Sequence, residues 1–156
     1  MGGLDTPQEA ATEQLTAALE TNRDGHVAIQ PHVLLVEDDT AIRGLLIEQL
    51  VGEDYSVDAV ESIAAARQRI ARQRPDLILL DLMLPRQDGW TFLRERRTDP
   101  QLAGIPVLVI SAAPQQRLLE AKNLGADGFL SKPFDLDVLS ALMRSFVRRS
   151  EQNGGL

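Results

Sequence analysis

The chain has 156 residues, a length that suits one ordinary domain, and 44% of them are hydrophobic, which is enough for a full core. Its formal net charge of −7 argues against a nucleic-acid surface. The absence of cysteine excludes disulfides and thiolate metal sites, and two histidines are too few for a histidine-rich metal site. No apolar run approaches membrane-spanning length and the N-terminus has no apolar signal core, so we expect a soluble, cytoplasmic protein without membrane contact.

The first 31 residues precede the first strong strand signal. Residues 6–9, Thr-Pro-Gln-Glu, form a capping box with proline at the first helical position, which predicts the start of a helix. A narrow apolar stripe follows at Ala11, Leu15, Ala18 and Leu19. Residues 22–30 are typical of a linker. We therefore predict an N-terminal extension over residues 1–31, helical and then a linker, and a docking or dimer helix stays open as an alternative.

Strand and helix patterns alternate from residue 33 onward. Continuous apolar runs predict buried strands at about residues 33–36, 77–80 and 107–110. Two further short strands are predicted at about residues 56–59 and 128–130, and a helical pattern follows each of the five strands. Asp39 and Ser62 are predicted N-caps, and the last helix is predicted to end near Arg149. This alternation predicts a parallel sheet with helices on both faces, in a domain over residues 32–150 with a polar tail at 151–156.

Polar side chains stand where the predicted strands end. Glu37-Asp38-Asp39 follows the first strand, Asp81 the third, Ser111 the fourth and Lys132-Pro133 the fifth. Open α/β sheets bind ligands at this edge. Two carboxylates ~4 Å apart repel each other by roughly 4 kcal/mol at an effective dielectric of ~20, so a proton, a basic group or a cation must compensate. Hard oxygen ligands beside one lysine suit magnesium (Mg²⁺) together with a phosphoryl group.

The ordered set of these four strand ends, with Asp88-Gly89 after Asp81, resembles the receiver domain of two-component response regulators, including the chemotaxis regulators, over about residues 32–149. The resemblance implies a flavodoxin-like, doubly wound α/β fold with five parallel strands in the order 2-1-3-4-5. It also implies a phosphoacceptor switch of a two-component or phosphorelay system. Such a domain is no enzyme beyond assisting its own phosphotransfer and dephosphorylation.

The resemblance assigns the metal site and the acceptor residue by position. Asp81 matches the phosphoacceptor, whose carboxylate attacks phosphorus and also binds Mg²⁺. Glu37 and Asp38 match the acidic pair of metal ligands, and the backbone carbonyl of Met83 matches a further ligand. Asp39 is left as a helix cap.

Three other residues match the family's phosphoryl contacts and its switch. Lys132 would contact a phosphoryl oxygen, and the resemblance implies a cis peptide bond between Lys132 and Pro133. Ser111 offers the hydroxyl that binds the phosphoryl group, and Phe129 stands at the switch aromatic position. The spacing from Ser111 to Lys132 is one residue shorter than the family pattern, so we expect the loop around Pro114 to depart from it.

The implied partners are a sensor histidine kinase or a histidine phosphotransfer protein and a downstream protein target, with no direct nucleic-acid contact and a possible phosphorylation-dependent dimer. We favour a stand-alone receiver, and a receiver cut from a larger regulator or hybrid kinase is the alternative. An aspartate-nucleophile phosphatase is disfavoured because Met83 stands where its general acid would be. A flavin or P-loop site is disfavoured because the loop after the first predicted strand is acidic.

Overall fold

The computed structural model describes residues 19–21, 27–84 and 89–154. Its strands are β1 Leu19–Thr21, β2 Val27–Ile29, β3 His32–Val36, β4 Ser56–Val60, β5 Leu77–Asp81, β6 Val107–Ser111 and β7 Gly128–Ser131. Its helices are α1 Thr40–Gly52, α2 Ile63–Arg72, α3 Gly89–Arg96, α4 Gln115–Asn123 and α5 Leu136–Gly154. None of these helices is both long enough and apolar enough to cross a membrane.

Five of the strands form one parallel sheet in the order β4-β3-β5-β6-β7. Numbered along the chain from β3, this order is 2-1-3-4-5, so the doubly wound, flavodoxin-like fold is confirmed. The continuous apolar runs are explained by burial on both sides, since every residue of β5 and β6 is buried. The two outermost strands of the sheet, β4 and β7, are mostly half-buried.

The core lies in two layers, one on each face of the sheet. Alternate residues of β3 and β5 point to opposite faces, so Leu34 and Ile78 pack with α2, α3 and α4, whereas Leu35 and Leu79 pack with α1 and α5. The helices cover both faces but leave open the edge where the strands end. The loops at that edge are therefore free to carry a site.

Local signals in the sequence set the helix boundaries. The side chain of Asp39 accepts a hydrogen bond from the amide of Ile42, and that of Ser62 from the amide of Ala65, so both predicted N-caps are confirmed. Gly125, with a φ of 110°, follows α4 in a conformation that favours glycine. At Gly89 a Cβ would lie 2.9 Å from the Cα of Leu82, so only glycine lets α3 begin this close to the end of β5.

The structure corrects the prediction at both ends of the chain. Leu19, predicted to lie in a helix, belongs to β1, and Val27–Ile29, predicted to be a linker, forms β2, which pairs antiparallel with β1. The β-branched residues Val27 and Ile29 favour extended backbone. The rest of the predicted N-terminal helix lies outside the described residues. At the other end α5 continues to Gly154, through most of the predicted polar tail, because no glycine or proline interrupts it earlier.

Candidate functional site

Three carboxylates meet at the carboxyl edge of the sheet. Glu37, Asp38 and Asp81 each offer one oxygen, and these oxygens lie within 4.8 Å of one another. Because β3 and β5 are paired neighbours, the loop after β3 lies beside the last residue of β5. Glu37 and Asp81 are buried, and Asp38 is half-buried. The structure thus brings together the three side chains that the sequence predicted as metal ligands.

The ammonium of Lys132 joins two of these carboxylates. Its Nζ donates to Oε2 of Glu37 at 2.9 Å and to Oδ2 of Asp81 at 3.1 Å. Lys132 follows β7 directly, its amide donates to the carbonyl of Ser111 at 2.8 Å, and its bond to Pro133 is cis, as the resemblance implied. Three carboxylates against this one ammonium leave an excess of negative charge at the edge.

The crowding alters the proton affinities of two groups. Burial raises the pKa of Glu37 above its usual range, the charge of Asp81 raises it further, and the hydrogen bond from Lys132 partly offsets both. Burial by itself lowers the pKa of Lys132, but the hydrogen bonds and charges of Glu37 and Asp81 together outweigh burial and raise it. Lys132 therefore stays an ammonium at neutral pH, and the site favours positive charge.

The backbone after β5 orients the acceptor candidate. The amide of Met83 donates to Oδ1 of Asp81 at 3.0 Å, while the side chain of Met83 points to solvent. Asp39, next to the acidic pair, uses Oδ1 to cap α1 at 2.9 Å from the amide of Ile42. The structure therefore separates Asp39, a cap, from Asp38, a member of the carboxylate cluster.

The two predicted switch residues lie on neighbouring strands. Ser111 ends β6, is fully buried, and its Oγ accepts a hydrogen bond from the amide of Ala113 at 3.2 Å. Phe129 on β7 is half-buried and packs against the core layer that contains α4. Pro114 stands at the N-cap position of α4 without a side-chain hydrogen bond, at the loop that the spacing singled out.

Sequence reasoning missed Arg43, whose guanidinium contacts the acidic loop from α1. Its signal was a basic residue one helical turn after three acidic ones. A separate cleft of about 380 Å³ lies between α3 and α4, lined by Trp90, Arg94, Arg117, Glu120, Asn123 and Leu124. Its lining contains none of the three clustered carboxylates, so we place the chemistry at the carboxylates and not in this cleft.

The donor set at the sheet edge fits a hard divalent cation. Carboxylate oxygens are the ligands that Mg²⁺ takes in proteins, usually one or two of them with several waters and a substrate phosphate. Asp38 is accessible to solvent, whereas Glu37 is fully buried. The cluster therefore offers both a buried anchor and an open side for water or phosphate.

The chain is similar in sequence to known proteins. The family model described as the response regulator receiver domain matches residues 33–144. The chain is 40% identical over 124 residues to the DNA-binding dual master transcriptional regulator RpaA of Synechocystis sp., covering 78% of this chain and 51% of the relative. It is also 40% identical over 119 residues to the KDP operon transcriptional regulatory protein KdpE of Escherichia coli, covering 76% and 52%. The chain thus spans about half the length of the curated relatives it matches. Because one of these relatives is named as DNA-binding, the prediction of no direct nucleic-acid contact is not supported for a longer protein that contains this chain.

Solved structures show the same fold. The receiver domain of a sensor histidine kinase from Pseudomonas aeruginosa, with a magnesium ion coordinated in its active-site cleft, superimposes with a TM-score of 0.69 at 28% identity, over 76% of this chain and 98% of that one. The chemotaxis response regulator CheY4 of Vibrio cholerae gives 0.69 at 26% identity, over 75% and 98%. With its strand order and its strand-end residues, the chain belongs to the response regulator receiver family of two-component systems.

Proposed function

We propose that this chain is a phosphorylation-dependent switch in which Asp81, with Mg²⁺ bound beside it, accepts a phosphoryl group from a histidine of a sensor kinase or a phosphotransfer protein. The observation that carries the proposal is the hydrogen-bonded bridge of Lys132 between Glu37 and Asp81, inside a cluster of three carboxylates. Such a cluster favours a divalent cation, and its ammonium is placed to contact an incoming phosphoryl group.

In this transfer an oxygen of Asp81 attacks phosphorus, the bond from phosphorus to the donor's imidazole nitrogen breaks, and an acyl phosphate forms. The amide of Met83 holds one oxygen of Asp81 and Lys132 holds the other. Each carboxylate oxygen has lone pairs for further contacts, and an ammonium has three donors, so Lys132 is able to bind a phosphoryl oxygen as well. Lys132 then stabilises the negative charge on the carboxyl group of Asp81 and on the phosphoryl group, on either side of the new oxygen–phosphorus bond.

The residues that would hold Mg²⁺ are Glu37, Asp38 and Asp81, with the backbone carbonyl of Met83 as a further ligand. When bound, the ion neutralises carboxylate repulsion and the charge on the phosphoryl group. The related receiver from Pseudomonas aeruginosa has magnesium in its cleft. Oε2 of Glu37 already accepts a hydrogen bond from Lys132, so we assign Asp38 direct contact and Glu37 a contact that is partly through water.

Phosphorylation from a small donor tests the assignment. Incubation with acetyl phosphate and Mg²⁺ should add one phosphoryl group to the intact protein by mass spectrometry, and chelation of Mg²⁺ should abolish the addition. Asp81→Asn should not be labelled. Asp137→Asn, a matched change at an exposed aspartate on α5, should be labelled like the parent. Equal labelling of Asp81→Asn would exclude Asp81 as the acceptor.

We assign the readout of phosphorylation to Ser111 and Phe129. A phosphoryl group adds charge and strong acceptors beside Ser111. If the hydroxyl of Ser111 turns toward it, that hydroxyl gives up its bond with Ala113, and the ring of Phe129 is able to fill the space released. Reversing a 1:99 equilibrium needs about 5.5 kcal/mol of differential binding. Two or three hydrogen bonds to a charged group, at roughly 1.5–3 kcal/mol each, supply it.

Ser111→Ala should therefore accept phosphate yet lose most of the structural response. Amide NMR with beryllofluoride, a stable phosphoryl mimic, measures that response at β7 and α5. Ser145→Ala, an exposed serine on α5, is the matched control and should respond like the parent. Equal shifts in Ser111→Ala and the parent would contradict this route of coupling.

A second candidate concerns the whole protein. RpaA and KdpE are named as transcriptional regulators and are about one and a half times as long as this chain, and the name of RpaA describes it as DNA-binding. In this reading the chain is the receiver of a longer regulator whose output acts on DNA. Immunoblotting of the native protein separates the two, since a stand-alone receiver has a mass of 17.1 kDa and a regulator as long as these relatives about one and a half times that.

A further inference from the structure

Arg43 on α1 contacts three consecutive carbonyl groups of the acidic loop. Its Nη1 donates to the carbonyls of Glu37 at 3.0 Å and Asp38 at 3.3 Å, and its backbone amide donates to the carbonyl of Asp39 at 2.9 Å. On the other side of the loop, the amide of Glu37 donates to the carbonyl of Val60 at 3.0 Å. The loop is therefore held from both β4 and α1.

We propose that Arg43 is a positioning residue, which fixes the backbone of Glu37 and Asp38 so that their carboxylates share one cation with Asp81. The inference deepens the proposed function and rests on it. A side chain leaves the backbone in a direction set by the peptide groups around it. Two carbonyls bonded to one guanidinium leave those peptide groups little freedom to rotate, so the carboxylates keep their spacing before a metal arrives.

The carbonyl contacts matter more than the ion pair that Arg43 also makes. Nη2 of Arg43 lies 3.3 Å from Oε1 of Glu61, whose side chain is 73% exposed, whereas the side chain of Arg43 is 17% exposed. Water and salt screen an exposed pair, which contributes little. The bonds to the loop are partly buried and both come from Nη1, while Nη2 faces Glu61. The planar guanidinium fixes these directions together, a geometry that lysine does not reproduce.

A purely electrostatic role predicts the opposite result. The positive charge of Arg43 repels a cation at the carboxylates, so removing that charge alone should tighten Mg²⁺ binding. Removing the loop contacts should weaken Mg²⁺ binding, since mutation of a residue that orients metal ligands typically lowers metal affinity about 10–100-fold. The sign of the change in affinity therefore separates positioning from charge.

The experiment measures Mg²⁺ affinity by titration calorimetry in the parent, Arg43→Met, Arg43→Lys and Glu61→Gln. We expect both Arg43 variants to bind about tenfold more weakly, or worse, and Glu61→Gln to bind like the parent. Arg96→Met is the matched control for a loss of stability, because Arg96 also donates to backbone carbonyls but far from the carboxylates. Tighter binding by Arg43→Met with unchanged binding by Arg43→Lys would overturn the inference.

Amide hydrogen exchange of Asp38 and Asp39 in the metal-free protein gives an independent readout. Both amides should exchange faster in Arg43→Met than in the parent, relative to amides of the central strands, and should be unaffected in Arg96→Met. If the parent binds no Mg²⁺, the proposed metal site fails, and the exchange measurement alone decides the role of Arg43. Unchanged exchange at Asp38 and Asp39 would overturn that role whatever the metal result.

Discussion

Charged side chains gather at both ends of the parallel strands, at the amino edge where the strands begin and at the carboxyl edge where they end. They are paired differently at these two edges. At the amino edge, the guanidinium of Arg96 donates to the carbonyls of Ile105 and Gly125 and to Oδ2 of Asp127, which also accepts from the amide of Val107. At the carboxyl edge, Glu37, Asp38 and Asp81 crowd together, and Lys132 neutralises only part of their charge. One edge is matched in charge, and the other has an excess of carboxylate.

This difference separates stability from function. A guanidinium that donates to two carbonyls and a carboxylate connects the end of α3 to the starts of β6 and β7, and its charge is balanced by that carboxylate within the protein. The excess of carboxylate destabilises the free protein, since like charges in a partly buried site raise its energy. A cation or a phosphoryl group with its metal relieves that excess. We therefore expect variants at the two edges to differ in whether Mg²⁺ changes their effect.

The largest effect is expected at Lys132. Lys132→Met removes the ammonium that neutralises Glu37 and Asp81, whose side chains are 0% and 5% exposed. Removing one partner of a buried ion pair typically destabilises by about 3–5 kcal/mol. Urea unfolding of the metal-free protein should show a loss of this order, and saturating Mg²⁺ should recover part of it. Phosphorylation by acetyl phosphate should fall strongly.

Lys122→Met, at an exposed lysine on α4, is the control and should resemble the parent in every respect. A Lys132→Met variant whose stability matched the parent without metal would mean that the carboxyl edge holds no excess charge. The contrast between the two edges would then be lost.

The next effect is expected at the amino edge. Arg96→Met deletes the hydrogen bonds from one charged group to Ile105, Gly125 and Asp127, and the free energy of unfolding should fall by about 2–3 kcal/mol. Unlike Lys132→Met, this loss should not depend on Mg²⁺, and the rate of phosphorylation should match the parent. Urea unfolding with and without Mg²⁺ measures both. A loss that Mg²⁺ reversed would show that the two edges are coupled.

A smaller effect separates neighbours within the carboxyl edge. Asp39→Ala removes the N-cap of α1 and should cost about 0.5–2 kcal/mol of stability, with Mg²⁺ affinity nearly intact. Asp38→Ala should weaken Mg²⁺ binding strongly, and it should stabilise the metal-free protein slightly because it relieves repulsion. Calorimetric titration and urea unfolding of both variants give the ranking. The reverse ranking would mean that Asp39, and not Asp38, binds the metal.

Sequence reasoning predicted the carboxyl edge far better than the amino edge. Acidic residues that directly follow short apolar runs must lie at strand ends, so Glu37 and Asp81 were predicted neighbours although they are far apart in the chain. Lys132 forms its ion pair across 95 positions for the same reason. The pair of Arg96 and Asp127 joins a helix end to a loop, and nothing local distinguishes such residues from solvated charges.

Other features of the structure depend on contacts that the types and spacing of residues in the sequence do not indicate. Arg43 was missed because its partners are backbone carbonyls, which every residue carries. Leu19 fits a helical stripe by spacing, yet it pairs with Ile29 in a short antiparallel ladder. In contrast, the cap at Asp39 depends only on residues three positions apart, and it was predicted correctly.

The smallest expected effect is a dependence of stability on pH at the amino edge. His32 begins β3, and burial lowers its pKa below the usual 6.5, partly offset by the charges of Asp58 and Asp76. The unfolded chain therefore binds this proton more tightly than the folded one, so stability falls as pH drops through 6.5 and is fully present above it. Glu37 acts in the opposite direction, since burial raises its pKa above 4.5 and its uptake of a proton favours the folded state.

The pH curve of the parent mixes both contributions, so the informative quantity is the difference in stability between the parent and His32→Asn. Urea unfolding between about pH 7.5 and about pH 5 should show the parent losing more stability than this variant, with the same difference whether or not Mg²⁺ is present. Parallel curves for the two proteins would mean that His32 has the same proton affinity in the folded and unfolded chains.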